Sequence, residues 1–363
     1  MGYGNYPELK DVKKILVIKL RHLGDVLLTS PIFTTLKRNF PKAKIHAYIY
    51  KEAFSMLDKH SCIDKIHVYD RGYKSKSLIK KLKYEFSLLR KIKKEKYDLV
   101  INLTEGDRGA IAASASRARI RVGIDPEKKG MHKKDKLYSH IVKNCSSPRH
   151  TVEKNLDALR RINLFPTCQD MDLEFVIDEN AEKKVNELLE KNGFLENEYI
   201  LFHPSSRWRF KCWPQKKFSK LAKELIDDGF KIIITGGKDT YEMEMADAIA
   251  KDVSSEKLLN LSGQTSLKEL GALIKKSKAI VCVDSVSLHM ASALKAKTVV
   301  LFGPTSDINW GPWKNPSAKV ISSNMSCRPC FMDGCGGSKI SECLLQIQTD
   351  VVKQNLYSLL EKK

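Results

Sequence analysis

Short apolar runs alternate along this chain with segments whose apolar residues recur at three- and four-residue spacing. The first pattern predicts buried strands and the second amphipathic helices. Strands are predicted at Ile15–Leu20, Lys44–Tyr50, Lys65–Tyr69, Leu99–Leu103 and Ile120–Gly123. Helical patterns lie between them near residues 26–39, 52–58, 75–96 and 107–117. The second half repeats the theme, with strands at Tyr199–Phe202, Lys231–Thr235, Leu258–Asn260, Ala279–Val283 and Thr298–Phe302. Its helices fall near 215–228, 240–251, 266–276 and 286–294. Strands separated by single helices imply parallel sheets with right-handed crossovers. The expected fold class is α/β, with two Rossmann-like, doubly wound domains facing a central cleft. Their expected extents are residues 1–172 and 173–346, with 163–180 as the connection. A last helix, Asp350–Leu360, lies in a segment, 347–363, expected to pack back on the first domain.

The first strand-to-helix turn carries the densest chemistry. It runs Leu20-Arg21-His22-Leu23-Gly24-Asp25, and in an open α/β sheet such a turn faces the ligand crevice. Asp25 is therefore either a reactive carboxylate or a helix cap. Gly24 fits a turn needing positive φ or a close backbone approach to a ligand.

Charge sharpens the choice of partner. The chain has 64 Lys and Arg against 43 Asp and Glu, a net +21. That excess favours nucleic acid, an anionic membrane surface or a phosphorylated substrate. Residues 71–97 hold eleven Lys or Arg against Glu85 and Glu95, and a second basic patch runs Lys128–Lys136. No apolar stretch approaches the length of a spanning helix. The N-terminal MGYGNYPELKDVKK has neither an apolar signal region nor, with Tyr6 at position six, a myristoylation pattern. A cytoplasmic protein held to a membrane by charge is expected.

Three motifs end strands of the second half. His203-Pro-Ser205-Ser206-Arg-Trp208-Arg-Phe-Lys211-Cys-Trp213-Pro214 brings hydroxyls and a lysine to a strand end, chemistry suited to a phosphate. Trp208 and Trp213 are both expected in the core. Asp284, Ser285 and Val286 fall at a strand-to-helix junction, where free backbone N–H groups bind anions. His289 lies four residues after Ser285, on the same helix face. Phe302-Gly303-Pro304-Thr305 ends the next strand.

Other signatures are missing. No GxGxxG follows a strand and no GxxxxGK[ST] occurs, which counts against dinucleotide oxidoreductases and nucleotide triphosphatases. Asp170-Met-Asp172 lies in the connection, and chance explains it. Five cysteines are scattered singly. Cys327, Cys330, Cys335 and Cys343 form C-x2-C-x4-C-x7-C, for which structural zinc, a reversible disulfide and four free thiols remain open. No catalytic metal is expected.

The order ILVIKLRHLGDVLLTSP, INLTEGDRGA, HPSSRWRFKCWP, VDSVSLHMASAL, LFGPTSDINWGPW resembles the bacterial lipopolysaccharide core heptosyltransferases of glycosyltransferase family nine. The RHLGD turn, the VDS junction and the CRPC…DGCGGSK…EC tail look most like the heptosyltransferase III branch. The resemblance spans about residues 12–350. It implies a GT-B fold with an acceptor-binding first domain and a second that binds the nucleotide sugar. It also implies Asp25 as general base, and Ser205, Ser206, Lys211, Asp284, Ser285, Val286 and His289 at the donor. Many members have glycine where Val286 stands, which narrows that part of the site. Arg21, His22, Gly24, Glu105 and Arg108 are the acceptor candidates.

The reaction so implied is inverting transfer of L-glycero-D-manno-heptose from ADP-heptose to the lipid-linked inner core of lipopolysaccharide. No cofactor is expected beyond that donor. The enzyme is expected on the cytoplasmic face of the inner membrane, with an anionic membrane surface as partner and no nucleic acid. The rivals are a GT-B transferase or epimerase using another nucleotide sugar, and a basic nucleic-acid-binding protein. The latter has no aromatic-basic RNA motif or zinc-finger spacing to support it.

Overall fold

Each half of the chain folds around its own parallel sheet. The computed structural model describes residues 6–127 and 129–361, and the chain divides into two compact units at Val176/Ile177. Residues 1–5 of the N-terminal stretch, Lys128 of the second basic patch, and Lys362–Lys363 lie outside the described residues.

The first unit holds β1 (Lys14–Lys19), β2 (Lys44–Tyr50), β3 (Lys65–Tyr69), β4 (Leu99–Asn102), β5 (Ile120–Ile124) and β6 (His140–Val142) in the order β3-β2-β1-β4-β5-β6. The second holds β7 (Tyr199–His203), β8 (Lys231–Ile234), β9 (Leu258–Asn260), β10 (Ala279–Val283), β11 (Thr298–Phe302) and β12 (Ala318–Ser322) in the order β12-β11-β10-β7-β8-β9. All pairings are parallel. In each sheet the chain winds outward first one way and then the other. The reversals fall between β1 and β4 and between β7 and β10. Ligands of open α/β sheets bind outside the carboxyl ends of the strands at such reversals.

Two of the four edge strands, β6 and β12, escape the apolar pattern. Only Val142 of β6 and Ile321 of β12 are buried. The helices Thr151–Arg160 and Glu179–Lys191 were not expected either. The second begins inside the supposed connection, where Asp178 caps it by accepting from the Ala181 amide at 2.8 Å. The pattern at 26–39 is two helices, Leu23–Leu27 and Ser30–Asn39. Pro31 opens the second one, where its missing N–H costs nothing.

The final helix, Thr349–Leu360, corrects the expectation for 347–363. Its apolar face packs in the core of the second unit. Val352, Leu356 and Leu359 join Phe218, Leu221 and Leu225 of the helix Gln215–Asp227, together with Val299 and Leu301 of β11, in one core. Trp213 is fully buried in the same core and donates its indole N–H to the Ile347 carbonyl at 3.2 Å. Trp208 departs from expectation: it is 42% exposed, with the Arg207 guanidinium over its ring.

Several buried histidines make the fold acid-sensitive. The Tyr97 hydroxyl lies 2.8 Å from His46 Nδ1 and 2.9 Å from His67 Nε2. Burial pulls the His67 pKa down to about 4 and lowers that of His46; in the second unit it brings buried His203 to about 4. These rings stay neutral in the folded chain when they would charge in the unfolded one. Their neutral state costs nothing above about pH 6.5, the ordinary histidine value. As pH falls from there toward 4, the unfolded chain takes up protons that the fold refuses, and stability drops. The expected loss is about 1.4 kcal/mol per pH unit for each of His67 and His203, and His46 adds in the same direction. Thermal melting between pH 7.5 and 5 measures it, and His67→Gln should flatten the slope.

Candidate functional site

The β1–β4 reversal builds one half of the chemistry. β1 leaves the sheet at Leu20, whose amide donates to Thr104 Oγ1 at 2.8 Å and so ties the β1 turn to the β4 turn. His22 then precedes the helix Leu23–Leu27 as its N-cap residue without a side-chain cap bond. Gly24 and Asp25 therefore lie in a first helical turn and not in the loop. Gly24 is not among the glycines with positive φ, which leaves close backbone approach to a ligand as its reading. The helix is short enough to begin almost where the strand ends, and helical φ suffices. Asp25 is buried, only 9% exposed, in the first turn of that helix.

Beneath that turn lies a residue the sequence reading missed. Lys19, at the end of β1, is buried and donates to the Leu103 carbonyl at 3.1 Å and to Asn155 Oδ1 at 3.2 Å. Asn155 in turn donates to the Leu28 carbonyl at 3.2 Å. Burial lowers the Lys19 pKa, and the charge of Asp25 opposes that shift. The signal was present in the sequence: a lysine inside an otherwise apolar strand.

The acceptor candidates separate. Arg21 and Glu105 are exposed at the two strand ends. Arg108 belongs to the helix Asp107–Ala115, where its guanidinium pairs with Glu85 at 2.9 Å and stacks over the Tyr69 ring at 4.2 Å. The second basic patch is partly structural, because Lys134 is buried, bonded to the Glu105 carbonyl and paired with Asp107 at 3.2 Å. Asp170 of the Asp-x-Asp sequence is also structural. It is buried and accepts from Arg38 Nε at 2.8 Å.

The β7–β10 reversal gathers most of the second set. Lys211, in the turn after β7, meets Asp284, after β10, at 2.6 Å. The same Asp284 oxygen accepts from Thr305 Oγ1, after β11, at 2.7 Å. Three strand ends thus converge on one carboxylate, which is 4% exposed. Ser285 is the N-cap residue of the helix Val286–Ala293 but makes no side-chain cap bond; its hydroxyl lies 2.7 Å from that of Ser287. The first-turn amides of that helix, Val286 included, lack intrahelical acceptors. His289 is buried on this helix, its ring 6.5 Å from that of Trp310.

Ser205 and Ser206 are also buried. Ser205 donates to Glu242 Oε2 at 2.7 Å, and the Gly237 amide donates to the same oxygen at 3.1 Å. Glu242 was not anticipated, although an acid in the first turn after a Gly236-Gly237 bend is a visible pattern. A Cβ on Gly237 would stand 2.7 Å from that carboxylate and push it from its present position. The cysteine-bearing tail buttresses these turns. Phe331 N donates to the Pro304 carbonyl at 2.9 Å, Arg328 Nε to the Gly303 carbonyl at 2.6 Å, and Ser341 Oγ to the Phe210 carbonyl at 2.7 Å.

All nine cysteines are unbridged. Cys327, Cys330 and Cys335 are exposed and Cys343 buried, and their sulfurs are not drawn together at ligand spacing. Among the described residues His46, His67 and Glu95 have donor atoms within 4.8 Å of one another. Both histidines already meet the Tyr97 hydroxyl, and Glu95 is held by Lys14 at 2.9 Å and Lys65 at 2.6 Å. Two ammonium groups on the carboxylate make this set a poor cation cage.

Comparison with known proteins agrees with this geometry. Residues 85–340 match the sequence profile of glycosyltransferase family 9 (heptosyltransferase). The chain is 31% identical over 312 residues to lipopolysaccharide heptosyltransferase 3 of Escherichia coli K12, covering 85% of this chain and 88% of that one. Among solved structures, a family 9 glycosyltransferase from Veillonella parvula superposes with a TM-score of 0.84 at 22% identity, over 99% of this chain and all of that one. An E. coli heptosyltransferase determined with ADP gives 0.74 at 18% identity, over 95% and 99%. These neighbours share the GT-B fold.

Proposed function

The chain belongs to glycosyltransferase family 9, and from that membership we propose that it transfers L-glycero-D-manno-heptose from ADP-heptose to the inner core of lipid-linked lipopolysaccharide. The convergence of Lys211, Asp284 and Thr305 at three strand ends carries the donor half of this reading. Lys211 is pre-positioned there by Asp284. Its ammonium and the amides opening the helix Val286–Ala293 offset the negative charge that grows on the departing diphosphate. Ser205, Ser206, Ser285 and His289 supply hydrogen bonds to the donor.

Asp25 is the base. As the acceptor hydroxyl attacks the anomeric carbon, its proton passes to the Asp25 carboxylate while the bond to the ADP oxygen breaks. One displacement of this kind inverts the anomeric centre. Arg21, His22, Gly24 and Glu105 are acceptor contacts; Arg108 joins them only by leaving Glu85. Donor binding is testable on its own. Calorimetric titration should show ADP-heptose or ADP binding, with UDP- and GDP-sugars at least about tenfold weaker. Equal affinity for a UDP-sugar would transfer the assignment to another nucleotide sugar.

The acceptor is anchored in a bilayer, and the partner surface is the anionic cytoplasmic face of the inner membrane. No helix among the described residues is long and apolar enough to cross a membrane. Charge reversals at Lys80, Lys83, Arg90 and Lys91 should weaken sedimentation with anionic vesicles and flatten its salt dependence. Unchanged binding would make these residues a solvated face only.

A further inference from the structure

The helix Leu78–Lys94 is built the wrong way round for a helix that serves only to cover a sheet. Its buried side chains are Leu88 and Ile92, both in its second half. Its first half exposes Leu78 at 70%, Ile79 at 66%, Leu82 at 61% and Phe86 at 69%. At 100° per residue these four span roughly a quarter of the helix circumference. They form one continuous stripe at spacings of one, three and four. Single exposed apolar side chains are ordinary, but four large ones in one stripe mark an interaction surface.

The flanks of the stripe identify what covers it. Lys80, Lys83, Arg90, Lys91, Lys93 and Lys94 are exposed and make no ion pair with a described residue. The one acid of the helix, Glu85, is taken by Arg108 and by the Tyr69 hydroxyl at 2.8 Å. Residues 1–176 carry 37 Lys and Arg against 20 Asp and Glu, so most of the chain's excess charge lies in this unit. An apolar stripe edged with unpaired cations, within a basic unit, is complementary to a bilayer with anionic headgroups.

We propose that Leu78–Lys94 lies in the plane of an anionic bilayer, with Leu78, Ile79, Leu82 and Phe86 inserted among the acyl chains and the flanking cations at the phosphates. The geometry makes the attachment partly hydrophobic, so salt alone does not reverse it. This deepens the functional reading above and rests on it only for the purpose of the attachment, which is to meet a lipid-linked acceptor.

Three measurements decide it. A Phe86→Trp reporter, mixed with phosphatidylglycerol vesicles, should shift its emission to the blue and be quenched by lipids brominated along the acyl chain. The Leu82→Ser/Phe86→Ser variant, altered only at exposed positions, should lose about tenfold in vesicle partitioning while keeping its melting temperature. It should also keep transfer to a lipid-free core oligosaccharide and lose transfer to the same core embedded in vesicles. A reporter that stays unquenched, or vesicle binding unaffected by the double substitution, would overturn the proposal. A concentration-dependent dimer that the double substitution abolishes would assign the stripe to a second copy of the chain and overturn it too. Failure of the wild-type chain to transfer heptose, with quenching intact, would sink the functional reading and leave the membrane helix standing.

Discussion

Asp25→Asn should cut kcat for heptose transfer by about 10²–10⁴-fold, the usual worth of a positioned general base, and leave donor affinity unchanged. The substitution keeps the size of the side chain and removes its negative charge, and with it the capacity to accept a proton. Asp25 lies in the first turn of a five-residue helix, and its charge supports the buried Lys19 ammonium, a support that asparagine withdraws. Melting temperature should fall slightly, because buried Lys19 loses the opposing charge of Asp25, and calorimetry should return the wild-type affinity for ADP. Below the pH at which the acceptor hydroxyl can be deprotonated without help, the variant should show no compensating rise. Near-normal turnover would make Asp25 a structural residue of a short helix.

Lys211→Met should lower kcat/KM by about 10²–10³-fold, comparable to removing one preorganised transition-state donor. Methionine preserves most of the aliphatic stem and deletes the charge. The same change strips Asp284 of its ammonium partner, leaving that carboxylate with the Thr305 hydroxyl. Breaking a buried pair on one side costs about 3–5 kcal/mol. Lys211 is 18% exposed on its side chain, which puts this loss at the lower end. The double variant Lys211→Met/Asp284→Asn separates the two effects. It removes the stranded charge and should recover most of the stability, while turnover stays low. Recovery of turnover together with stability would reduce Lys211 to a scaffold residue. Lys211→Arg should retain charge and stability but misplace it, with intermediate activity.

The strands were legible because both sheets are covered on two faces. Runs such as Ile15–Leu20 and Ala279–Val283 are continuously apolar or nearly so, as a buried parallel strand requires. The edge strands β6 and β12 were not legible, each burying a single residue, whereas the other two edges, β3 and β9, carry apolar residues enough to be read. The donor-side residues were visible as strand-end motifs, and the structure brings Lys211, Asp284 and Thr305 onto one point. Glu242 and Lys19 carry only a local signal, and their roles do not show in it. Each acts from under a turn, bonded to Ser205 and Gly237 in one case and to Leu103 and Asn155 in the other. A buried charge gives no periodic signal, and its partners are distant in sequence. The final helix was placed on the wrong unit because its pattern shows an apolar face without showing what that face meets.

Charge was the feature most easily misread. The net +21 points to an anionic partner, but composition does not distinguish a cation that pairs internally from one that faces outward. Lys134, Arg108, Lys14 and Lys65 are all held by carboxylates. The flanking cations of Leu78–Lys94 are not, and beside them stand apolar side chains that a purely electrostatic surface does not need.

The most direct test of the account is transfer itself. Purified chain would be incubated with ADP-L-glycero-D-manno-heptose and a truncated core acceptor already bearing two heptoses, and the product read by mass and anomeric configuration. The account predicts one added heptose with inverted configuration and loss of product in Asp25→Asn. Product with retained configuration, or product undiminished in that variant, would contradict the single displacement with Asp25 as base.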